Sequence, residues 1–367
     1  MNKVAPKPNE FELSLFGPGT GECIVIHYGD NNWFVIDSFR EKENDIPIAQ
    51  AYLESIGVNV HQNVKHILAT HFDDDHCDGL TELLANCDDA KFHCSTALLV
   101  NEFFACVKKN GNLKLVQAKP GLSEFADILE FLEKSSQIPD RCRSTYGPNW
   151  VHAGSQISLS NKVTFSILSP SSIAVGDSAR EFKDAYLDTT GPVKKLPQNR
   201  FNMISVAGAI ETSNLSLLLG ADLERGGNDH VGWRGVLNDS NLRKPLSSIF
   251  KIPHHGSEGA DVEGVWTQLV GNEPTLLLTS MASSGIPRES DVVRLKSKTN
   301  NEVVLTNPKY ITRPKKHGAA NRRMNLITRS RKIIRRQLGQ VCIRFELGTD
   351  AISIEKFGAA RALNRRQ

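Results

Sequence analysis

The chain has 367 residues, 40% hydrophobic and 23% charged, with a formal charge of +3, a composition ordinary for a globular protein. No run of about 18 apolar residues is present, which excludes a membrane-spanning helix, and the start MNKVAPKPNEFELSLF has no apolar stretch of the secretory kind. Seven scattered cysteines without a CxxC pair argue against a disulfide framework and point to a reducing, cytoplasmic setting.

In chain order, residues 11–16, 23–28 and 32–38 read as a β-meander, with the turn GPGTG after its first strand. PIAQAYLESIG has Pro47 near a helix start and Gly57 past its end. VKHILAT (64–70) is an apolar strand, and Gly79–Ala85 a short helix with Asp78 as N-cap. Residues 96–109 and 122–134 carry helical periodicity. ISL (157–159) and VTFSILSP (163–170) are strands. The polar segment 171–200 reads as a long loop with one helical turn. NMISVAGAI (202–210), LSLLLGAD (215–222) and SSIFKIP (247–253) are strands. A helix near 287–298 and the strand EVVLT follow, and VCIRFEL-GTD-AISIEKF closes the chain as a hairpin over 341–357. The expected organisation is one domain, with a helical insertion at about 96–150 and a basic insertion at 309–336.

That basic insertion holds eleven Lys or Arg and no acid; +11 there against +3 overall leaves −8 elsewhere. Apolar Met324, Leu326, Ile327, Ile333 and Ile334 are interleaved in it, the pattern of a basic amphipathic helix. A polyanion is the expected partner. Lys315, Lys316, Arg322, Arg323, Arg329, Arg331, Lys332, Arg335 and Arg336 are the candidate phosphate contacts. An anionic membrane surface is the rival use, and a solvated tail the bland one.

The densest chemistry is THFDDDHCDGL (70–80), where His71 to His76 packs five ionisable residues into six positions. Such crowding resists burial unless a cation neutralises it. Two further apolar strands end in ligand-type side chains: LSLLLGAD in Asp222, and SSIFKIP in His254 and His255. Ends of adjacent strands meet at one sheet edge, so the three segments can build one site. In an extended stretch His71, Asp73 and Asp75 share a face.

These residues resemble the metallo-β-lactamase superfamily. H-x-D-x-D-H at 71–76, with Gly79 after it, is similar to the form of the metal signature found in ComEC-like metallohydrolases. FGPGTGECIVIHYGDNNWFVIDS, VHAGSQISLSNKVTFSILSPS, Asn202-x-x-Ser205 before LLLGAD, and KIPHHGS resemble that group's other blocks in order, over roughly residues 11–306. The resemblance implies an αββα sandwich of two mixed β-sheets flanked by helices. It implies His71 and Asp73 on one metal, Asp75, His76 and His254 or His255 on a second, with His254 the first choice, and Asp222 bridging them. Asp75 and His255 are the implied catalytic residues, and Asn202 and Ser205 candidates for metal or substrate. The sequence departs from the group in two places: Asn202 stands near where relatives carry a histidine, and SMASSGIPR lacks a His-Pro.

Two divalent ions, Mn²⁺ or Zn²⁺ with Mg²⁺ as a third choice, are the expected cofactors; Asp at 73 makes the set oxygen-rich. The expected activity is hydrolysis of phosphodiester bonds, in DNA first, with a protein partner as a further expectation. A phosphodiesterase of small nucleotides and a non-catalytic nucleic-acid-binding module are the alternatives. Cys77 reads as a small buried side chain, and His27, His61, His66 and His93 as ordinary histidines.

Overall fold

The computed structural model describes residues 1–41, 44–99, 120–136, 148–187, 201–308 and 337–363. The basic insertion 309–336, with its nine phosphate-contact candidates, lies outside the described residues, as do most of the helical pattern at 96–109 and the end of the 171–200 segment.

The first sheet contains β1 (Glu10–Gly17), β2 (Cys23–His27), β3 (Trp33–Ile36), β4 (Val64–Ala69), β5 (Lys91–Ser95), β6 (Asn149–Val151), β14 (Gly339–Glu346) and β15 (Ser353–Gly358). The second contains β7 (Gln156–Ser158), β8 (Thr164–Ile167), β9 (Gly208–Glu211), β10 (Ser216–Leu219), β11 (Ser247–Lys251), β12 (Val270–Leu278), β13 (Val303–Leu305) and β16 (Arg361–Ala362). The orders are β15-β14-β1-β2-β3-β4-β5-β6 and β16-β13-β12-β11-β10-β9-β8-β7. Both sheets are mixed: β3 to β6 run parallel in one, β10 to β13 in the other. The closing hairpin is present, and β14 lies antiparallel to β1 from Glu10↔Glu346 to Gly17↔Gly339.

Strand alternation makes this a four-layer sandwich. Ile24, Ile26, Phe34, Leu217, Ile249 and Leu277 point between the sheets into one apolar cluster. Their neighbours Cys23, Val25 and Val35 face outward on the first sheet. They meet Tyr52 and Leu53 of α1 (Ile48–Ser55) and Leu83 of α4 (Leu80–Asn86), which follows the short α2 (Val60–Asn63) and α3 (Asp74–Cys77). Phe125 of α5 (Pro120–Ser136) joins the same layer. On the second sheet Leu218, Phe250 and Leu276 face outward to Trp233, Val265 and Leu295. Those belong to α7 (Gly232–Asn238), α8 (Glu263–Gln268) and α9 (Glu289–Lys296). With both faces covered, the strands read as apolar runs. This is the αββα sandwich of two mixed sheets that the resemblance implies.

Three elements differ from the sequence reading. Residues 172–187 form a helix, α6 (Ser172–Leu187), not a loop. Ser171 Oγ accepts the N–H of Ala174 at its start, and Ala174, Ser178 and Phe182, four residues apart, are its buried stripe. Asn202–Ile204 is a 3₁₀ turn, and the strand begins only at Gly208. Gly79, with φ of 84°, caps α4 in place of Asp78, whose carboxylate pairs with Arg40 at 3.3 Å. Among the described residues no helix is long and apolar enough to cross a membrane.

Candidate metal centre

Parallel strands place their C-terminal ends at one edge of a sheet. At that edge β3 delivers Asp37, β4 delivers His71 to His76, β10 delivers Asp222, and β11 delivers His254 and His255. After β4 the chain stays extended to Asp73, then turns into α3. The shared face expected of 71, 73 and 75 therefore stops at 73, and Asp75 and His76 reach the site from a helical turn. Asp74 turns away, accepting the N–H of Gly121 at 2.8 Å.

Asp75, His76, Asp222 and His255 each present a ligand atom, and these atoms all lie within 4.8 Å of one another. His255 Nε2 is 3.2 Å from Asp75 Oδ2 and 3.7 Å from Asp222 Oδ2. His76 Nε2 is 3.4 Å from Asp222 Oδ1 and 3.6 Å from Asp75 Oδ2. Beside this group the His71 and His76 rings lie 4.4 Å apart, and His71 Nε2 is 3.8 Å from Asp73 Oδ2.

The hydrogen bonds behind the rings show what the front faces are for. Thr70 Oγ1 gives its only proton to Asp37 Oδ2 at 2.7 Å, so at 2.9 Å it accepts from His71 Nδ1–H. His76 Nδ1–H donates to the same Asp37 oxygen at 2.7 Å. Both rings are thereby held as the tautomer with a bare Nε2. His71 Nε2, His76 Nε2 and Asp222 Oδ1 are buried and make no hydrogen bond among the described residues. Imidazole lone pairs facing carboxylates at these distances repel unless a cation lies between them. The donor set of imidazole nitrogens and carboxylate oxygens fits a divalent metal ion.

A proton is the other cation that can serve. Burial opposes charge on His76, yet Asp222, Asp75 and Asp37 together raise its pKa well above the ordinary value. Burial pushes Asp75 up, but His76 and His255 hold it down at about 2. Asp222 is likewise held well below the carboxylate range by His255 and His76 against its burial. His71, buried and beside His76, falls to about 4. A metal entering here displaces the proton that His76 would otherwise hold.

The structure separates the two adjacent histidines. His255, not His254, meets Asp75 and Asp222, while His254 Nδ1 lies 3.0 Å from Glu224 Oε1. Both have positive φ, 45° and 51°, and Gly256 follows at 84°. That left-handed run aims successive side chains in different directions, at a strain of about 1–3 kcal/mol per non-glycine residue. Asn202 is buried and donates to Glu224 Oε1 at 3.2 Å, and Ser205 is fully buried; neither belongs to the four-residue group. Cys77 is fully buried, its thiol donating to the His71 carbonyl at 3.0 Å. Asp37 went unnoticed in the sequence; its only signal there was a polar residue ending the apolar strand WFVI.

No family model and no curated protein matches the chain. Solved structures do. The chain is similar to metallo-beta-lactamase SMB-1 bound to 2-mercaptoethanesulfonate, at 12% identity over 69% of this chain and 82% of that one, TM-score 0.34. It is similar to Zn(2+)-bound PqqB from Methylobacterium extorquens, at 10% identity over 70% and 74%, TM-score 0.35. It is similar to the metallo-beta-lactamase fold protein YhfI from Bacillus subtilis, at 9% identity over 80% and 96%, TM-score 0.39.

Proposed function

We propose that this chain is a metal-dependent hydrolase of phosphodiester bonds, acting on DNA. The observation that carries the reading is the convergence of Asp75, His76, Asp222 and His255, with His76 turned bare-nitrogen-first toward the carboxylates. Asp75, His76, Asp222 and His255 would hold one divalent ion. His71 and Asp73 would hold a second, with Asp222 between them. Such ions, when bound, supply Lewis acidity toward a phosphoryl oxygen and activate water.

The chain's own groups supply the rest. Asp75, held ionised, accepts a hydrogen bond from an attacking water and orients it. His254 is fixed by Glu224, and a quarter of its side chain is exposed; it donates to a substrate oxygen. Burial pulls its pKa down, but the close approach of Glu224 and the charge of Asp222 raise it on balance. The basic residues of 309–336 bind the phosphate backbone.

A cavity of about 450 Å³ favours the second reading, a phosphodiesterase of small nucleotides. Glu224, Met203, Ile204, Asn228 and Val231 are among its walls, and its size is that of a small-molecule pocket.

The test is hydrolysis of labelled single- and double-stranded DNA and of a small chromogenic phosphodiester, with Mn²⁺, Mg²⁺ or Zn²⁺, against an Asp75→Ala, Asp222→Ala variant. DNA cleavage that disappears in the variant supports the nuclease. Cleavage of the small ester alone moves the substrate to small nucleotides. No hydrolysis by metal-loaded protein overturns the phosphodiester reading.

A further inference from the structure

A buried ion pair joins the two sheets beneath the cluster. Glu22 precedes β2 in the first sheet and Lys251 ends β11 in the second. Their side chains are 2% and 0% exposed, and Lys251 Nζ meets Glu22 Oε1.

Side-chain bonds run from this pair toward the loops that carry Asp222 and His255, and the main chain of Glu22 reaches the loop of Asp75. The Glu22 N–H donates to the carbonyl of Asp75 at 2.9 Å. Lys251 Nζ donates to the carbonyl of Ala221 at 3.1 Å; Ala221, with φ of 43°, sits just before Asp222. Thr279, following β12, donates its hydroxyl to Glu22 Oε2. Its oxygen therefore accepts Nδ1–H of His255 at 2.8 Å. A hydroxyl has one proton, so the direction of this chain is fixed, and in the neutral ring it leaves His255 Nε2 bare, 3.2 Å from Asp75 Oδ2, where a proton or a metal ion joins the two. The arrangement repeats, with different residues, what Thr70 and Asp37 do behind His71.

Burying two charges costs about as much as their attraction returns, so such a pair is a poor device for stability. Its bonds serve something else. We infer that Glu22, Lys251 and Thr279 are positioning residues, holding Asp75, Asp222 and His255 in register for a divalent cation across the gap between the sheets. The inference rests on the reading that the cluster binds such an ion, and it names what keeps ligands from two sheets in one place.

The test uses the full chain and three variants. Glu22→Leu, Lys251→Met removes both charges at similar volume. Thr279→Val removes the hydroxyl with little change of shape, and Thr279→Ser returns it. Affinity for Zn²⁺ and Mn²⁺ is read by competition with a chromogenic chelator, and the thermal midpoint is read on metal-free protein. Wild type binds. The pair variant and Thr279→Val keep near-wild-type metal-free midpoints but bind roughly 10–100-fold more weakly, the effect of removing outer partners of metal ligands. Thr279→Ser restores binding. Variants that bind as tightly as wild type, or that lose affinity only together with metal-free stability, overturn the inference. Wild type that takes up neither ion overturns the metal-centre reading instead. If the pair variant does not fold, Thr279→Val against Thr279→Ser decides alone.

Discussion

β4 carries His66 near its start and leads, through a short extended segment, to His76 on α3, and the two have opposite chemistry. His66 stacks on His93 of β5, ring centroids 5.2 Å apart, with Nδ1 of one 3.0 Å from Nε2 of the other. Both are buried, and no carboxylate figures among the groups that shift them. Burial lowers His66 to about 4, with Lys91 adding to it. Burial, then His66 and Lys91, lowers His93 to about 3. His76 is as buried as either, yet the three carboxylates around it raise its pKa. Burial alone makes a neutral packing residue of a histidine. Carboxylates around a buried ring draw a cation to it, and His71, which shares those carboxylates, is left neutral because His76 beside it takes the charge. The difference between a structural and a ligating histidine therefore lies in its neighbours.

The largest expected effect comes from the packing pair. Unfolded histidines titrate near 6.5, whereas His66 and His93 accept protons only near 4 and 3 in the folded chain. The unfolded state thus binds more protons between these values. Their contribution to stability is complete above pH 6.5 and is lost as pH falls toward 4. At pH 5 the loss is about 2 kcal/mol per histidine, 1.5 units below the unfolded value. Urea midpoints of metal-free protein at pH 7.5 and pH 5 should fall steeply in wild type and less in a His66→Leu, His93→Leu variant. Equal falls in the two proteins would show that the pair is not what makes the fold acid-sensitive.

The ligating side is probed by Asp37→Asn. An amide oxygen, with two lone pairs, can still accept at most two of the three bonds that Asp37 accepts from the Thr70 N–H, the Thr70 hydroxyl and His76 Nδ1, but the charge fixing both ring tautomers is gone. Metal affinity should fall roughly 10–100-fold, read with the same chelator competition. Unchanged affinity would mean that Asp37 only packs.

Much of the site was legible because its ligands stand where apolar strands stop. His71, Asp75, His76 and Asp222 each follow within a few residues of such a run, and a strand end is where a chain can present side chains at an edge. The pair His254-His255 was not resolvable by spacing, since adjacent residues differ only in direction, and left-handed backbone at both sets that. Glu22 and Thr279 left no local signature, and Asp37 only that of a polar residue ending an apolar strand. Asp37 serves a threonine 33 positions on and a histidine 39 positions on, and Glu22 reaches Thr279 across 257. The sandwich itself was legible through the family resemblance; the strands, read alone as apolar runs among helices, give only a layered α/β arrangement. The helix Ser172–Leu187 was not legible, because a stripe of Ala174, Ser178 and Phe182 is too thin to stand out in a polar segment.

The smallest effect sharpens the comparison from the other side, by pairing histidine with carboxylate but without burial. His61 Nδ1 lies 3.3 Å from Asp88 Oδ2, with side chains 55% and 54% exposed. Water solvates both groups, so little is gained by their meeting. The backbone N–H of His61 bonds to Asn59 Oδ1 at 3.1 Å, and that bond survives replacement of the side chain. His61→Gln should therefore shift stability by less than about 0.5 kcal/mol, read as the urea midpoint at pH 7.5, and should leave metal affinity unchanged. A loss above about 1 kcal/mol would mean that a carboxylate neighbour suffices without burial, and the contrast between His66 and His76 would then need another cause.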